Sequence, residues 1–262
     1  MTLVVANSED RRSGVRAEST ALFLDFDGTL APLACTPDEI ENNPSLNELL
    51  RQAQTRLQGR LALVSGREIA AIDALIDRAA NCVAGEHGLQ RRTPQGVVES
   101  MAAHPRLAEA VDAFDAMARA HQGLLVERKS ASVALHYRLA PSAAEAIADL
   151  ATRLSQTTGL AVQAGSMVVE LRSPGPSKGT ALRAYMAEAP FRGSTPIFIG
   201  DDLTDESGFS EVEQFGGFGV IVGERRPTGA RYRLAGPPRV LDWISHSLEN
   251  NVFDPGSLRW EG

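Results

Sequence analysis

The chain has 262 residues, 43% hydrophobic and 23% charged, an ordinary globular composition that excludes disorder, collagen-like repeats and coiled coil. With 26 basic against 33 acidic residues its net charge is −7, so a nucleic-acid partner gripped by its phosphates is not expected. Cys35 and Cys82 are too few for a disulfide framework or a cysteine-type zinc site, and no apolar run approaches the ~20 residues of a membrane helix.

Residues 1–20 read as a flexible tail that lacks the apolar stretch of a signal peptide, and a reducing, cytoplasmic setting is expected. Ala21–Asp25 is short and apolar enough for a buried strand, and Ser45–Leu57 carries leucines at helical spacing. Leu61–Ser65 reads as a second buried strand, Glu68–Ala80 as a helix and Cys82–Glu86 as a third strand, with a hairpin after it. Such alternation predicts an α/β fold, a Rossmann-like parallel sheet with crossover helices. The pattern then changes. His104–His121 and Ala143–Thr157 are helical, each followed by a pair of short strands: Leu124–Lys129 with Ser132–Arg138, and Leu160–Ala164 with Met167–Arg172. The first pattern resumes with helix Gly179–Ala189, strand Pro196–Gly200, the run at 218–223 and helix Val240–Leu248. The expected organisation is a core of residues 21–103 and 174–262, interrupted by an inserted α+β domain over 104–173.

Three strand ends carry groups with chemistry. Asp25-Phe26-Asp27-Gly28-Thr29 follows the first buried strand, where ligands of open α/β sheets bind. Asp and Gly also make solvated turns, so taken alone the motif leaves both readings open. Asp201, Asp202, Asp205 and Glu206 follow strand Pro196–Gly200 and repel one another unless a cation or a helix N-terminus compensates. Capping by Asp202 or Thr204 accounts for some of these acids but not all, so a hard divalent cation is favoured. Ser65-Gly66-Arg67 ends the second strand, and Lys178 opens a helix. A hydroxyl, backbone N–H groups and an ammonium so placed can hold a phosphate. The chain has 24 arginines but only two lysines, Lys129 and Lys178, which singles out both.

In this order, DFDGT, a strand-end Ser, Lys and GDDLTDE resemble the haloacid dehalogenase superfamily of phosphotransferases. VSGR, GEHG at 85–88, ERKSASVALHYR and VVELR further resemble the trehalose-6-phosphate phosphatases. The resemblance implies that the insert is a cap, that Asp25 is a nucleophile forming an aspartyl-phosphate, and that Asp27 is the general acid and base. It implies Mg²⁺ held by the Asp25 carboxylate, the Asp27 carbonyl and Asp201, supported by Asp202 and Asp205. Ser65, Gly66, Arg67 and Lys178 would bind the phosphoryl group, Thr29 would order the first loop, and Glu127, Lys129 and Glu170 would recognise the sugar. Glu127 and Lys129, at i and i+2, can share one strand face, although strand charges commonly just meet solvent. His87 and His136 read as structural or rim hydrogen bonders, and Arg225-Arg226 as a solvated loop.

A monomeric enzyme with a small sugar-phosphate substrate is expected, with trehalose 6-phosphate first and sucrose 6-phosphate or mannosyl-3-phosphoglycerate as alternatives. A phospho-receiver would share the strand-end aspartates, Ser and Lys but has no need of Asp27. A sugar-phosphate sensor would not need every catalytic position filled. Hinges are expected near His104 and at Ser173–Pro176, where the chain crosses between domains.

Overall fold

The computed structural model describes residues 14–34, 36, 39–224 and 226–258. Residues 1–13 of the expected tail, Cys35 and Arg225 lie outside them. Strand β1 (Val15–Arg16) and a 3-10 turn lead into β2 (Thr20–Leu24), all of whose residues are buried. There follow α1 (Pro44–Arg56), β3 (Leu61–Val64), α2 (Ile69–Ile76), β4 (Cys82–Gly85) and the hairpin β5 (Gln90–Arg92) and β6 (Val98–Ser100). Next come α3 (Leu107–Ala120), β7 (Leu125–Arg128), β8 (Ser132–His136), α4 (Ala144–Thr158), β9 (Ala161–Gly165) and β10 (Val168–Arg172). The last group is α5 (Lys178–Met186), β11 (Thr195–Gly200), α6 (Glu206–Gln214), β12 (Phe218–Val222), β13 (Tyr232–Leu234), α7 (Pro237–Glu249) and β14 (Val252–Phe253).

The large sheet runs β13-β12-β11-β2-β3-β4-β5-β6, parallel from β13 to β4 and antiparallel through the hairpin. Strand period sorts its side chains onto two faces. Leu22, Leu24, Leu61, Leu63, Ile197 and Ile199 pack against α1, α2 and α7, while Phe23, Ala62, Val64 and Phe198 pack against α5 and α6. Both faces are covered, which is why these strands read as continuous apolar runs rather than alternating ones. From β2 the chain moves outward to β3 and β4, and it returns on the other side of β2 as β11. The β2/β11 crevice is therefore the point where strand order reverses, the usual ligand site of such sheets.

Residues of the insert form a second, antiparallel sheet ordered β7-β8-β10-β9. Leu107, Phe114 and Ile147 of α3 and α4 cover one face, packing on Val133, Leu135, Val169 and Leu171. The alternate residues, among them Glu127, Ala134, His136 and Glu170, line a cleft shared with the large sheet. The two chain crossings run together, His104 N donating to Ser173 Oγ at 2.8 Å.

Two expectations need correction. Within the expected tail, residues 15 and 16 pair with Phe253 and Val252, Ala17 is fully buried, and β2 already begins at Thr20. That order depends on a partner some 240 residues away, which no local pattern reveals. The helix expected to reach Ala80 ends at Ile76, because Asp77 and Arg78 turn left-handed at φ +48° and +51°.

Candidate active site

Register brings the acidic motifs together. Leu24 pairs with Ile199 in parallel, and Asp25 N donates to Ile199 O at 2.9 Å, so the ends of β2 and β11 lie side by side. Asp25 is 4% exposed. Its Oδ1 accepts from Lys178 Nζ at 2.7 Å and its Oδ2 from Thr29 Oγ1 of the first loop at 3.2 Å. Lys178 is the first residue of α5, whose start is fixed by a reciprocal capping box between Ser177 and Thr180. Its ammonium, buried with the side chain, is shared with Asp205 Oδ1 at 2.7 Å. Burial alone would lower its pKa, but Asp205 and Asp25 hold it well above the ordinary lysine range.

Asp205 supports the acidic loop. Its Oδ2 accepts the backbone N–H groups of Asp201 at 3.0 Å and Asp202 at 2.9 Å. Asp202 caps the short turn after it, Oδ1 accepting from Leu203 N at 2.7 Å, and its Oδ2 accepts from Ser166 N of the insert at 3.3 Å. Gly28 has φ +80°, and a Cβ there would overlap the Asp201 carboxylate, so the first loop needs glycine for two reasons. Asp25, Asp201 and Asp205 offer oxygens that all lie within 4.8 Å of one another. Burial, only partly offset by Lys178, pushes Asp25 up to about 7, and burial together with Asp25 and Asp205 pushes Asp201 up to about 9. Crowded, half-neutralised carboxylates of this kind fit a hard divalent cation, which would relieve their mutual repulsion.

Asp27 stands apart from that cluster. Arg67 holds it in a two-pronged fork, Nε to Oδ2 at 2.7 Å and Nη2 to Oδ1 at 2.8 Å, with the guanidinium 6.0 Å from the Phe26 ring centroid. The arginine expected to bind phosphate is thus engaged by the expected acid. Ser65 is 1% exposed behind Gly66, its Oγ accepting from Arg67 N at 3.1 Å.

The facing wall belongs to the insert. Lys129 Nζ reaches across to Gly66 O at 3.0 Å and donates to Glu170 Oε2 at 3.2 Å, with Glu127 Oε2 at 3.9 Å. His136 Nε2 lies 2.8 Å from Glu127 Oε2. Burial pushes the Glu170 carboxyl up, but Lys129 and the His87 hydrogen bond outweigh it and keep Glu170 ionised. Asp25, Asp27, Gly66, Arg67, Glu127, Lys129, Glu170, Lys178, Asp201 and Asp202 all border one cleft, while Ser65, Thr29 and Asp205 are buried.

Two residues, Glu86 and Arg226, have roles that sequence reasoning did not assign, and His87, read as a structural or rim hydrogen bonder, meets the insert. His87 borders the cleft, with Nε2 3.2 Å from Glu170 Oε2. Glu86, fully buried at the end of β4, accepts from Ser130 Oγ, from Ala131 N at 3.0 Å and from Ser132 Oγ at 3.3 Å, so one core carboxylate grips the β7–β8 turn. Both have positive φ, +45° and +54°, a conformation costing on the order of 1 kcal/mol for such residues and kept where surroundings impose it. The GEHG motif contains both, but the insert residues they bond lie 40–85 residues onward in the chain. Arg226, expected in a solvated loop, instead donates to Asp202 O at 2.7 Å and pairs with Glu206.

A parallel sheet with an aspartate pair at its central strand end, a lysine-bridged acidic loop beside it and an inserted sheet facing both define a phosphatase of the haloacid dehalogenase type. A solved haloacid dehalogenase-like hydrolase from Bacteroides thetaiotaomicron has the same fold, with TM-score 0.59 and 18% identity, covering 86% of this chain and 98% of that one. The trehalose-phosphatase family model matches residues 23–238, and the chain belongs to that family. It is 40% identical over 243 residues to the trehalose-6-phosphate phosphatase of Escherichia coli, covering 89% of this chain and 91% of that protein. The C-terminal domain of the C. albicans trehalose-6-phosphate phosphatase superposes with TM-score 0.79 at 21% identity, covering 88% of this chain and 92% of that one. No helix among the described residues is long and apolar enough to cross a membrane.

Proposed function

We propose that this phosphatase hydrolyses trehalose 6-phosphate to trehalose and phosphate through an aspartyl-phosphate on Asp25, with Mg²⁺ as its cation. The observation that carries the reading is the division of the cleft. Phosphate-handling groups, Asp25 and Lys178, stand on the core side, and the Glu127–Lys129–Glu170 cluster stands opposite on the insert, so one molecule in the cleft meets both a phosphate end and a set of hydroxyl-binding groups. A carboxylate oxygen of Asp25 attacks phosphorus, the bond from phosphorus to the sugar oxygen breaks, and Asp27 gives that oxygen a proton. Asp27 then takes a proton from the water that attacks phosphorus, releasing phosphate and restoring Asp25. For Asp27 to carry a proton, its fork with Arg67 must open, which frees the guanidinium for phosphoryl oxygens. Lys178 and the Ser65 hydroxyl hold the oxygens that gain charge. The Asp25 carboxylate, the Asp27 carbonyl and Asp201 would hold Mg²⁺, which supplies charge stabilisation to the transferring group, with Asp202 and Asp205 orienting them.

In this reading residues 104–173 act as a cap that opens on the core, 21–103 and 174–262, with hinges near His104 and Ser173–Pro176. A working monomer and a cytoplasmic setting belong to the same proposal. The test is phosphate release with Mg²⁺ from trehalose 6-phosphate, sucrose 6-phosphate, mannosyl-3-phosphoglycerate and 4-nitrophenyl phosphate. The proposal requires the highest kcat/KM on trehalose 6-phosphate. Equal turnover of sucrose 6-phosphate would remove the substrate assignment while leaving the phosphatase intact.

A further inference from the structure

Buried polar atoms in folded proteins nearly always have partners, so each one left over calls for an explanation. Two such atoms lie on cleft-bordering residues joined by one hydrogen bond: His87 Nδ1 and Glu170 Oε1. Glu170 is ionised and can only accept, so the proton in its 3.2 Å contact with His87 belongs to Nε2. With Nε2 as donor, the neutral ring leaves Nδ1 a bare acceptor. Burial lowers the His87 pKa, and Lys178 and Lys129 nearby push the same way against Glu170, so the ring is neutral near pH 7. The chain also makes room for this ring. A Cβ on Gly66 would sit 2.6 Å from ring atoms, and His87 itself takes φ +54°.

We infer that His87 is a specificity-determining residue, a core-borne acceptor that, together with Glu170 Oε1, takes hydroxyl hydrogens of the sugar bound in the cleft. It rests on the sugar-phosphate reading above and adds to it. The sugar is then read from the core as well as from the insert, by a residue whose tautomer the insert itself sets through Glu170.

The test combines a variant with a deoxy-sugar scan. His87→Asn keeps a residue that tolerates the left-handed backbone but removes the ring. Its kcat/KM on trehalose 6-phosphate should fall about tenfold further than on 4-nitrophenyl phosphate, the loss of one buried hydrogen bond. Among monodeoxy trehalose 6-phosphates, one that wild type handles about tenfold worse than the parent should lose nothing more in His87→Asn. If every deoxy analogue loses the same factor in both proteins, or both parent substrates fall equally, the inference is wrong and the ring is structural. Should His87→Asn not fold, His87→Gly keeps a residue suited to the left-handed backbone without the ring and must give the same coupling. A wild type that prefers another sugar phosphate would refute the trehalose assignment alone, and the scan on that sugar would still decide His87.

Discussion

At the scale of single residues, the carboxylates tie stability to pH and to metal. Burial and the neighbouring carboxylates push Asp25 up to about 7 and Asp201 up to about 9 in the folded protein without metal, above their ordinary 3.8. The folded state therefore binds more protons than the unfolded one as pH rises above about 4, so these groups' stabilisation is lost progressively through pH 7 and 9. Chelated protein should melt at a lower temperature at pH 9 than at pH 5.5, and Mg²⁺ should raise the midpoint more at pH 9. Scanning fluorimetry showing equal metal-induced gains at both pH values would count against these shifts. Asp25→Asn removes the anionic nucleophile at constant size. A folded Asp25→Asn protein should release phosphate at near-background rates, and substantial turnover would end the covalent route. Lys129→Ala should cut kcat/KM on trehalose 6-phosphate by about 10–100-fold, the worth of a lost charged hydrogen bond, with a much smaller fall on 4-nitrophenyl phosphate. Equal falls would make Lys129 structural.

Among the elements, the acidic loop is held from two sides. Asp205 gathers its backbone N–H groups, and from the β12–β13 loop Arg226 grips the Asp202 carbonyl while Gly229 N donates to Glu206 Oε2 at 2.8 Å. Arg226→Ala should raise the Mg²⁺ concentration for half-maximal rate about tenfold, as loss of a group orienting metal ligands does. Saturating Mg²⁺ should recover most of kcat. An unchanged metal titration would leave Arg226 a surface ion pair. Arg226 also marks where sequence reading runs out. The elements of the core and insert were legible because buried strands and amphipathic helices have local periods. The acid clusters were legible because several carboxylates in a few residues need a compensating charge. Arg226, Glu86 and β1 act through partners distant in sequence, and nothing in RRP, GEHG or a two-residue strand announces which partner.

For the molecule as a whole, the apolar clusters of core and insert are separate among the described residues, and polar bonds join the two. Glu86 takes hydrogen bonds from residues 130–132, Glu68 Oε1 accepts Ser130 N at 2.9 Å, and Lys129 reaches Gly66 O. Bonds of this kind exchange readily for water, so the interface can separate without exposing a large apolar face. Removing the grip should favour separation. Glu86→Ala should speed hydrogen exchange at the Ala131 amide by at least tenfold and raise KM for trehalose 6-phosphate, while amides in β2 and β11 keep their protection. Unaltered exchange at Ala131 would show that Glu86 does not hold the insert in place.

Arginine supplies almost all the positive charge, and both lysines, Lys129 and Lys178, are buried at the cleft. Amine-selective reagents therefore find side-chain targets only at this site, and reach them only when the two sheets part. Mass spectrometry of brief acylation would count openings directly: slow modification of Lys129 while a product analogue is bound, fast modification when the cleft is empty. No engineered probe is needed, since the sequence has no lysine elsewhere and the chain is its own reporter of opening.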